Sequence, residues 1–214
     1  MQDLEEMKAM IADDPDENVW QSWFQERPWL FGSQAVDILD NRIVDEKTKV
    51  DYLYRDLGTY VSIIEIKKAG VVLFKEDRSH NIWCPKDELS NAIIQCANYI
   101  YRVEKKDDSR DFYDKIHCSV LKPKCTLIIG KSSDWDDDRG VCGRRADALR
   151  ILNDSLHGIE IITYDQLLKR ASLFLNRFSD NPEVLFHRVV SNDYYVYIKS
   201  MMYYVLISKF KYSI

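Results

Sequence analysis

The sequence predicts one α/β domain with a mixed central sheet flanked by helices, and three observations carry that prediction. The run from Tyr60 to Lys67 is apolar on both pleat faces over most of its length, the pattern of a strand buried on both sides. Two further short apolar runs, Cys125 to Gly130 and Ile159 to Thr163, alternate with helical patterns. Amphipathic helical stretches also precede the first run and close the last.

A chain of 214 residues is long enough for one full domain with a short appendage. With 46% hydrophobic and 30% charged residues, but only 7 Gly and 5 Pro, the composition is that of an ordered protein. The domain is expected over 1–180, and a Tyr/Met-rich segment at 181–214 is expected to serve self-association. A net charge of −5 argues against a generic polyanion binder, so any contact with nucleic acid has to come from a local patch. The cysteines (Cys84, Cys96, Cys118, Cys125, Cys142) are odd in number, contain no CxxC pair and follow no signal peptide, which predicts reduced thiols in a cytoplasm. The most apolar stretch, Tyr194 to Ser208, is broken by Lys199 and Ser200, so no membrane segment is expected.

In chain order, Leu4, Met7 and Ile11 share one face of a first helix over 2–12, which Pro15 ends. Asp16 is the expected N-cap of a second helix whose stripe is Val19, Trp20, Trp23 and Phe24, and which stops before Pro28. These aromatics, with Trp29, read as core rather than as a base-stacking platform. A weak strand follows over 35–43, then a polar turn over 45–48. Val50 to Tyr54 and Tyr60 to Lys67 form a hairpin. Residues 69–87 read as an excursion. Asp87 then caps a helix to about Lys105, with Leu89, Ile93, Ile94, Ala97, Ile100 and Tyr101 inward, followed by a charged linker, Glu104 to Arg110. A helix over 144–156 with Gly158 at its C-terminal cap, and a last helix from Tyr164 to about Phe178, complete the pattern.

The chemistry concentrates at the end of the central strand. Glu65 and Lys67 share the face of Val61 and Ile63, which places two ionisable groups where charge is costly unless paired or used. A hairpin centred between Leu57 and Gly58 sets Asp51 opposite Ile64, within one residue of Glu65. Two carboxylates this close invite a hard divalent cation, Mg2+ with Mn2+ as the alternative, and the Ile66 carbonyl between Glu65 and Lys67 adds a main-chain ligand. Lys67, about 6–7 Å further along the strand, is placed to orient an attacking water or to stabilise phosphorane charge. These are the parts that phosphodiester hydrolysis requires.

The runs Val19 to Gly32, Lys49-Val50-Asp51-Tyr52, Ile64-Glu65-Ile66-Lys67-Lys68 and Ala92 to Tyr99, in that order, resemble the nuclease domain of Shedu antiphage-defence proteins. Leu127 to Gly130 and Ile161 to Leu168 extend the likeness, which covers roughly 16–178. The resemblance implies a PD-(D/E)XK restriction-endonuclease-like core, with Asp51, Glu65 and Lys67 in the metal and catalytic positions, acting on double-stranded phage DNA. It also matches Gln95 to a polar position on the helix after the catalytic strand, where an active-site role and a plain solvent-edge amide stand side by side. An acidic residue of the first helix often reaches the metal in this class, and the resemblance leaves Glu17 and Glu26 open.

Lys68, Arg139, Arg144 and Arg145 make a candidate basic surface for phosphates, together with Lys131 and Arg150. The acidic run Asp134, Asp136, Asp137, Asp138 lacks the glycine and distal glutamate of a calcium loop. His80, His117, His157 and His187 form no metal-ligand pair. The first expectation is therefore a DNA endonuclease. A non-catalytic nucleic-acid-binding or assembly module on the same fold, and an RNA-cleaving nuclease, are the alternatives.

Overall fold

The computed structural model describes residues 2–32, 37–39, 42–46, 48–56, 58–135, 140 and 142–179, with side chains through 176. Arg139, Asp136 to Asp138 and the segment at 181–214 lie outside the described residues.

Helices α1 (Gln2–Asp13) and α2 (Glu17–Gln25) open the chain and lead into a 3-10 turn, Pro28–Phe31. Short strands β1 (Asp37–Leu39), β2 (Ile43–Asp45) and β3 (Thr48–Lys49) precede β4 (Tyr52–Arg55) and β5 (Val61–Ile66). Then come β6 (Phe74–Asp77), β7 (Ile82–Pro85), α3 (Asp87–Glu104), α4 (Arg110–Ile116), β8 (Cys125–Ile128), α5 (Arg145–Ser155), β9 (Ile159–Ile162) and α6 (Tyr164–Ser179). The main sheet has the order β1-β4-β5-β8-β9. Its β1/β4 and β4/β5 pairs are antiparallel, and its β5/β8 and β8/β9 pairs are parallel. It is the mixed central sheet that the sequence predicts.

Strand alternation sends side chains to two cores. Leu53, Val61, Ile63, Leu127 and Ile161 pack under α3, α4 and α5. Tyr52, Tyr54, Ile64, Ile66, Ile128 and Ile162 pack under α1, α2 and α6, where Trp20, Trp23 and Phe24 are buried. All six residues of β5 are buried, so it is the central strand.

The structure corrects several expectations. The hairpin ladder pairs Tyr52 with Ile64, one residue away from the expected register. The loop is odd in length: Asp56 and Tyr60 close it by an N–H to carbonyl bond, Thr59 adopts φ 67°, and the Asp56 carboxylate accepts the N–H groups of Gly58 and Tyr60. The 69–87 excursion contains the β6/β7 hairpin, and the charged linker runs into α4, whose N-cap Ser109 accepts the Phe112 N–H. On α3 the inward stripe is Leu89, Ala92, Cys96 and Val103 with Ile93 and Ile100, spaced by threes and fours. Ile94 (69% exposed), Ala97 and Tyr101 (54%) lie about 100° from that stripe and face out. Asp16 is the N-cap of α2 as expected, but its carboxylate makes no cap bond and instead pairs with Lys68 at 2.6 Å. Gly158, at φ 79°, lies beyond the α5 cap Leu156. No helix among the described residues is long and apolar enough to cross a membrane.

Gly130 joins the layers just past β8. Its N–H donates to the Lys68 carbonyl and its carbonyl accepts from Tyr164, so it ties the exit of β5 to the start of α6. Its φ is +66°, and a Cβ there would stand 2.7 Å from the Val71 carbonyl oxygen. Gly130→Ala is therefore expected to lower stability by about 2–3 kcal/mol. Urea denaturation checks this, and a midpoint equal to wild type refutes it.

Candidate active site

Glu65 sits at the end of β5 on the α3 side and is only 2% exposed. Its Oε1 accepts from the Lys67 ammonium at 2.8 Å, the bond that strand parity predicts, because residues two apart share a face. Its Oε2 is buried and receives no hydrogen bond from an N–H or O–H donor among the described residues. Burial first, and then the Asp51 charge, push the Glu65 carboxyl up to about 7, against the opposing pull of Lys67.

Continuing the β4/β5 ladder by one step brings Asp51 across from Glu65, closer than the expected hairpin centre allowed. Asp51 Oδ2 accepts the Ile66 main-chain N–H at 2.8 Å, and Oδ1 accepts from the Gln21 side-chain amide of α2. The Arg42 guanidinium lies 3.6 Å from the same Oδ1. Burial raises the Asp51 carboxyl, although the Ile66 N–H, Lys67 and Arg42 all favour its charged form. For Lys67, burial favours the neutral amine, but the bond to Glu65 outweighs it and the ammonium is held above its ordinary range. The Lys67 backbone is fixed as well, its N–H donating to Ile128 and its carbonyl accepting the Tyr164 hydroxyl at 2.7 Å.

The odd-numbered residues of β5 direct their main-chain groups toward β8, as the Ile63 and Lys67 N–H bonds show. Ile66, of opposite parity, presents its N–H to Asp51, and its carbonyl projects to that same edge. Among the described residues no three His, Cys, Asp or Glu side chains converge as a metal cluster. The groups that could hold a cation here are the Asp51 and Glu65 carboxylates and the Ile66 carbonyl. This set fits a hard divalent cation: one carboxylate oxygen is buried with no donor among the described residues, and the Asp51 charge raises the proton affinity of Glu65.

Gln95, on α3, donates to the Tyr99 hydroxyl at 2.5 Å. Burial raises the Tyr99 phenol against the pull of its Gln95 bond, and the charges of Glu65, Lys67 and Asp51 act on it more weakly. Of the two open glutamates, Glu17 acts electrostatically on Lys67, whereas Glu26 pairs with Arg27 on the surface. Three of the candidate basic residues are paired with acids. Lys68 is bound to Asp16, Arg144 to Asp147 at 2.7 Å, and Arg145 to Asp134 at 3.0 Å. Arg145 also stands against the rings of Trp83 and Trp135 and is 17% exposed, the placement of a structural staple. Sequence reasoning missed Gln21, Arg42, Tyr99 and Tyr164 as parts of the site. Only Tyr99 carried a signal, standing four residues from Gln95 on one helix face.

Residues 14–168 match the family model of the Shedu protein SduA, C-terminal region. The chain belongs to the Shedu family. Membership points to antiphage defence. No match is found among curated proteins. The matched span of this Shedu chain holds Asp51, Glu65 and Lys67 together with Gln21, Arg42, Gln95 and Tyr99.

The Glu65 shift has a consequence for stability. The folded state retains a proton on Glu65 up to about 7, whereas the unfolded chain releases it near 4.5. Between those values the native state binds more protons, so stability falls as pH rises through the window. In chelator-treated protein, Glu65→Gln is expected to equal wild type near pH 4.5 and to exceed it at pH 8 by on the order of 2 kcal/mol. Denaturation curves at the two pH values check this, and parallel pH profiles for both proteins refute it.

Proposed function

We propose that this Shedu chain is a metal-dependent DNA endonuclease of bacterial antiphage defence, working in the cytoplasm on double-stranded phage DNA. The observation that carries the reading is the buried Glu65, with one oxygen unpartnered and the other on Lys67, directly beside Asp51. Asp51, Glu65 and the Ile66 carbonyl would hold Mg2+ or Mn2+. When bound, the ion supplies an acidified water and a Lewis acid for the phosphate.

The chain's own residues do the rest. Lys67, on a backbone fixed by Ile128 and Tyr164, presents an ammonium where phosphorane charge develops. Glu65 restrains that ammonium through a single oxygen, so its remaining donors are left for water or a phosphate oxygen. Gln95 and Tyr99 offer a polar wall on the α3 side for the substrate backbone. A second reading, a non-catalytic nucleic-acid-binding or assembly module, draws on the pairing of Lys68, Arg144 and Arg145 with acids of the same chain. RNA is a further substrate class that the same groups would serve.

The test is cleavage of duplex DNA and of RNA with Mg2+ or Mn2+. Asp51→Asn, Glu65→Gln and Lys67→Ala are each expected to lower the rate by about 10²–10³ while the fold is retained. Equal cleavage by wild type and Lys67→Ala removes Lys67 from the mechanism. Metal-independent binding without cleavage by the wild type selects the module, and cleavage of RNA alone selects the third reading. Self-association through the segment at 181–214 is also expected, and a monomer in sedimentation velocity of the full chain rejects it.

A further inference from the structure

The two oxygens of Asp51 are held by different kinds of group. Oδ2 accepts the main-chain N–H of Ile66, a donor that almost any residue at that position would supply. Oδ1 faces two side chains that come from outside the main sheet: the Gln21 amide donates to it, and the Arg42 guanidinium stands 3.6 Å away. Those two are tied to each other and to the backbone. Arg42 Nη2 donates to Gln21 Oε1 at 3.0 Å, Arg42 Nε donates to the Val50 carbonyl at 3.1 Å, and the guanidinium lies 5.7 Å from the centre of the Tyr52 ring. The Gln21 main-chain carbonyl accepts the Tyr52 hydroxyl, so the turn of α2 that carries the amide is itself anchored to the strand after Asp51.

We propose that Gln21 and Arg42 form a clamp on Asp51 with opposite effects on divalent-cation affinity: the amide fixes the carboxylate beside Glu65, and the guanidinium holds the affinity down. The proposal rests on the reading that Asp51 and Glu65 hold such a cation.

The opposition follows from the chemistry of the two groups. A neutral amide occupies one lone pair of Oδ1 and restricts rotation of the carboxylate, leaving the other lone pairs directed as they stand. Pre-ordering a ligand in this way strengthens binding, because less freedom is lost when the ion arrives. A guanidinium keeps its charge at any relevant pH, and here Gln21 and Val50 keep it from swinging away. It acts on the carboxylate from the position of a competing cation. Two positive charges near one oxygen repel, and in a half-buried site water screens that repulsion less than it would at the surface. Gln21 therefore serves Asp51 while it also anchors the charge that opposes the incoming ion.

The clamp is tested by titrating Mn2+ into the metal-stripped full chain by calorimetry, for wild type, Gln21→Leu, Arg42→Met and Arg42→Lys, with thermal unfolding as the control for fold. Gln21→Leu is expected to bind Mn2+ about tenfold more weakly, Arg42→Met about tenfold more tightly, and Arg42→Lys, which keeps the charge, within about twofold of wild type. A merely structural role for these residues would weaken binding in both apolar variants, and that result overturns the clamp. So does an unchanged affinity in either of them, while leaving the metal reading standing. Absence of Mn2+ binding in wild type removes that reading and the clamp with it. If an apolar variant does not fold, Gln21→Asn, too short to reach Oδ1, and Arg42→Gln, which retains a donor for Val50, are held to the same expectations.

Discussion

A carboxyl group with almost no exposure, set at the end of an apolar strand and facing a second carboxylate, is the constraint on which the rest of this molecule depends. Burying Glu65 removes its water, and Asp51 beside it adds like-charge repulsion. Only one of its oxygens is compensated, by Lys67 from two residues on. Such an arrangement persists only if the surrounding structure over-determines it. The backbone of Lys67 is accordingly pinned twice, and Asp51 receives donors on both oxygens.

The fold supplies that over-determination from both of its layers. Glu65 points into the α3 side, yet Gln21 and Tyr164, which secure Asp51 and Lys67, come from α2 and α6 on the opposite side. The site is thus a seam at one end of the sheet where the two cores meet. The Tyr164 ring packs tilted against Trp20, centres 4.4 Å apart, so the aromatic cluster that seats α2 on the sheet also holds the hydroxyl bonded to the Lys67 carbonyl. Gly130 adds the cross-tie between β5, the chain after it and α6. Disturbing the Trp-rich helix would therefore act on the site through packing, with no residue of that helix needing to touch a substrate.

Much of this was legible in the sequence because it follows from local periodicity. Strand parity alone puts Glu65 and Lys67 on one face, and the unbroken apolar run of Val61 to Ile66 marks the central strand. What failed were features that depend on one residue of phase or on long-range contact. The hairpin register slipped because Thr59 takes a left-handed conformation in a three-residue loop, and nothing in its chemistry announces this. The α3 face was misjudged at Ile94 and Tyr101 because apolar residues occupy two adjacent stripes of that helix and only packing selects one. Arg42 and Gln21 meet Asp51 across 9 and 30 residues of chain respectively. No pattern in their neighbourhoods marks either of them.

The surface charges bear on what kind of nucleic-acid contact such a chain can make. In a chain of net charge −5, Lys68, Arg144 and Arg145 are each tied to an acid, so these three offer a duplex no ready-made cationic track. A phosphate that contacts Lys68, Arg144 or Arg145 has to take the place of a carboxylate. Exposed pairs such as Lys68 with Asp16 and Arg144 with Asp147 exchange readily, because water already screens them and they contribute little net stability. Arg145 is a different case: it is held by Asp134 and flanked by two indoles, Trp83, which donates to the Gly143 carbonyl, and Trp135, which packs on Phe74 of β6, so removing it from that place would dismantle packing as well as an ion pair. Exchange at Lys68 carries a further effect, since Asp16 caps α2 and its release would change the charge at the helix end that carries Gln21 toward Asp51. The Lys68–Asp16 pair and the Gln21 bond to Asp51 thus sit on one short helix, α2, the first at its N-cap and the other in its second turn.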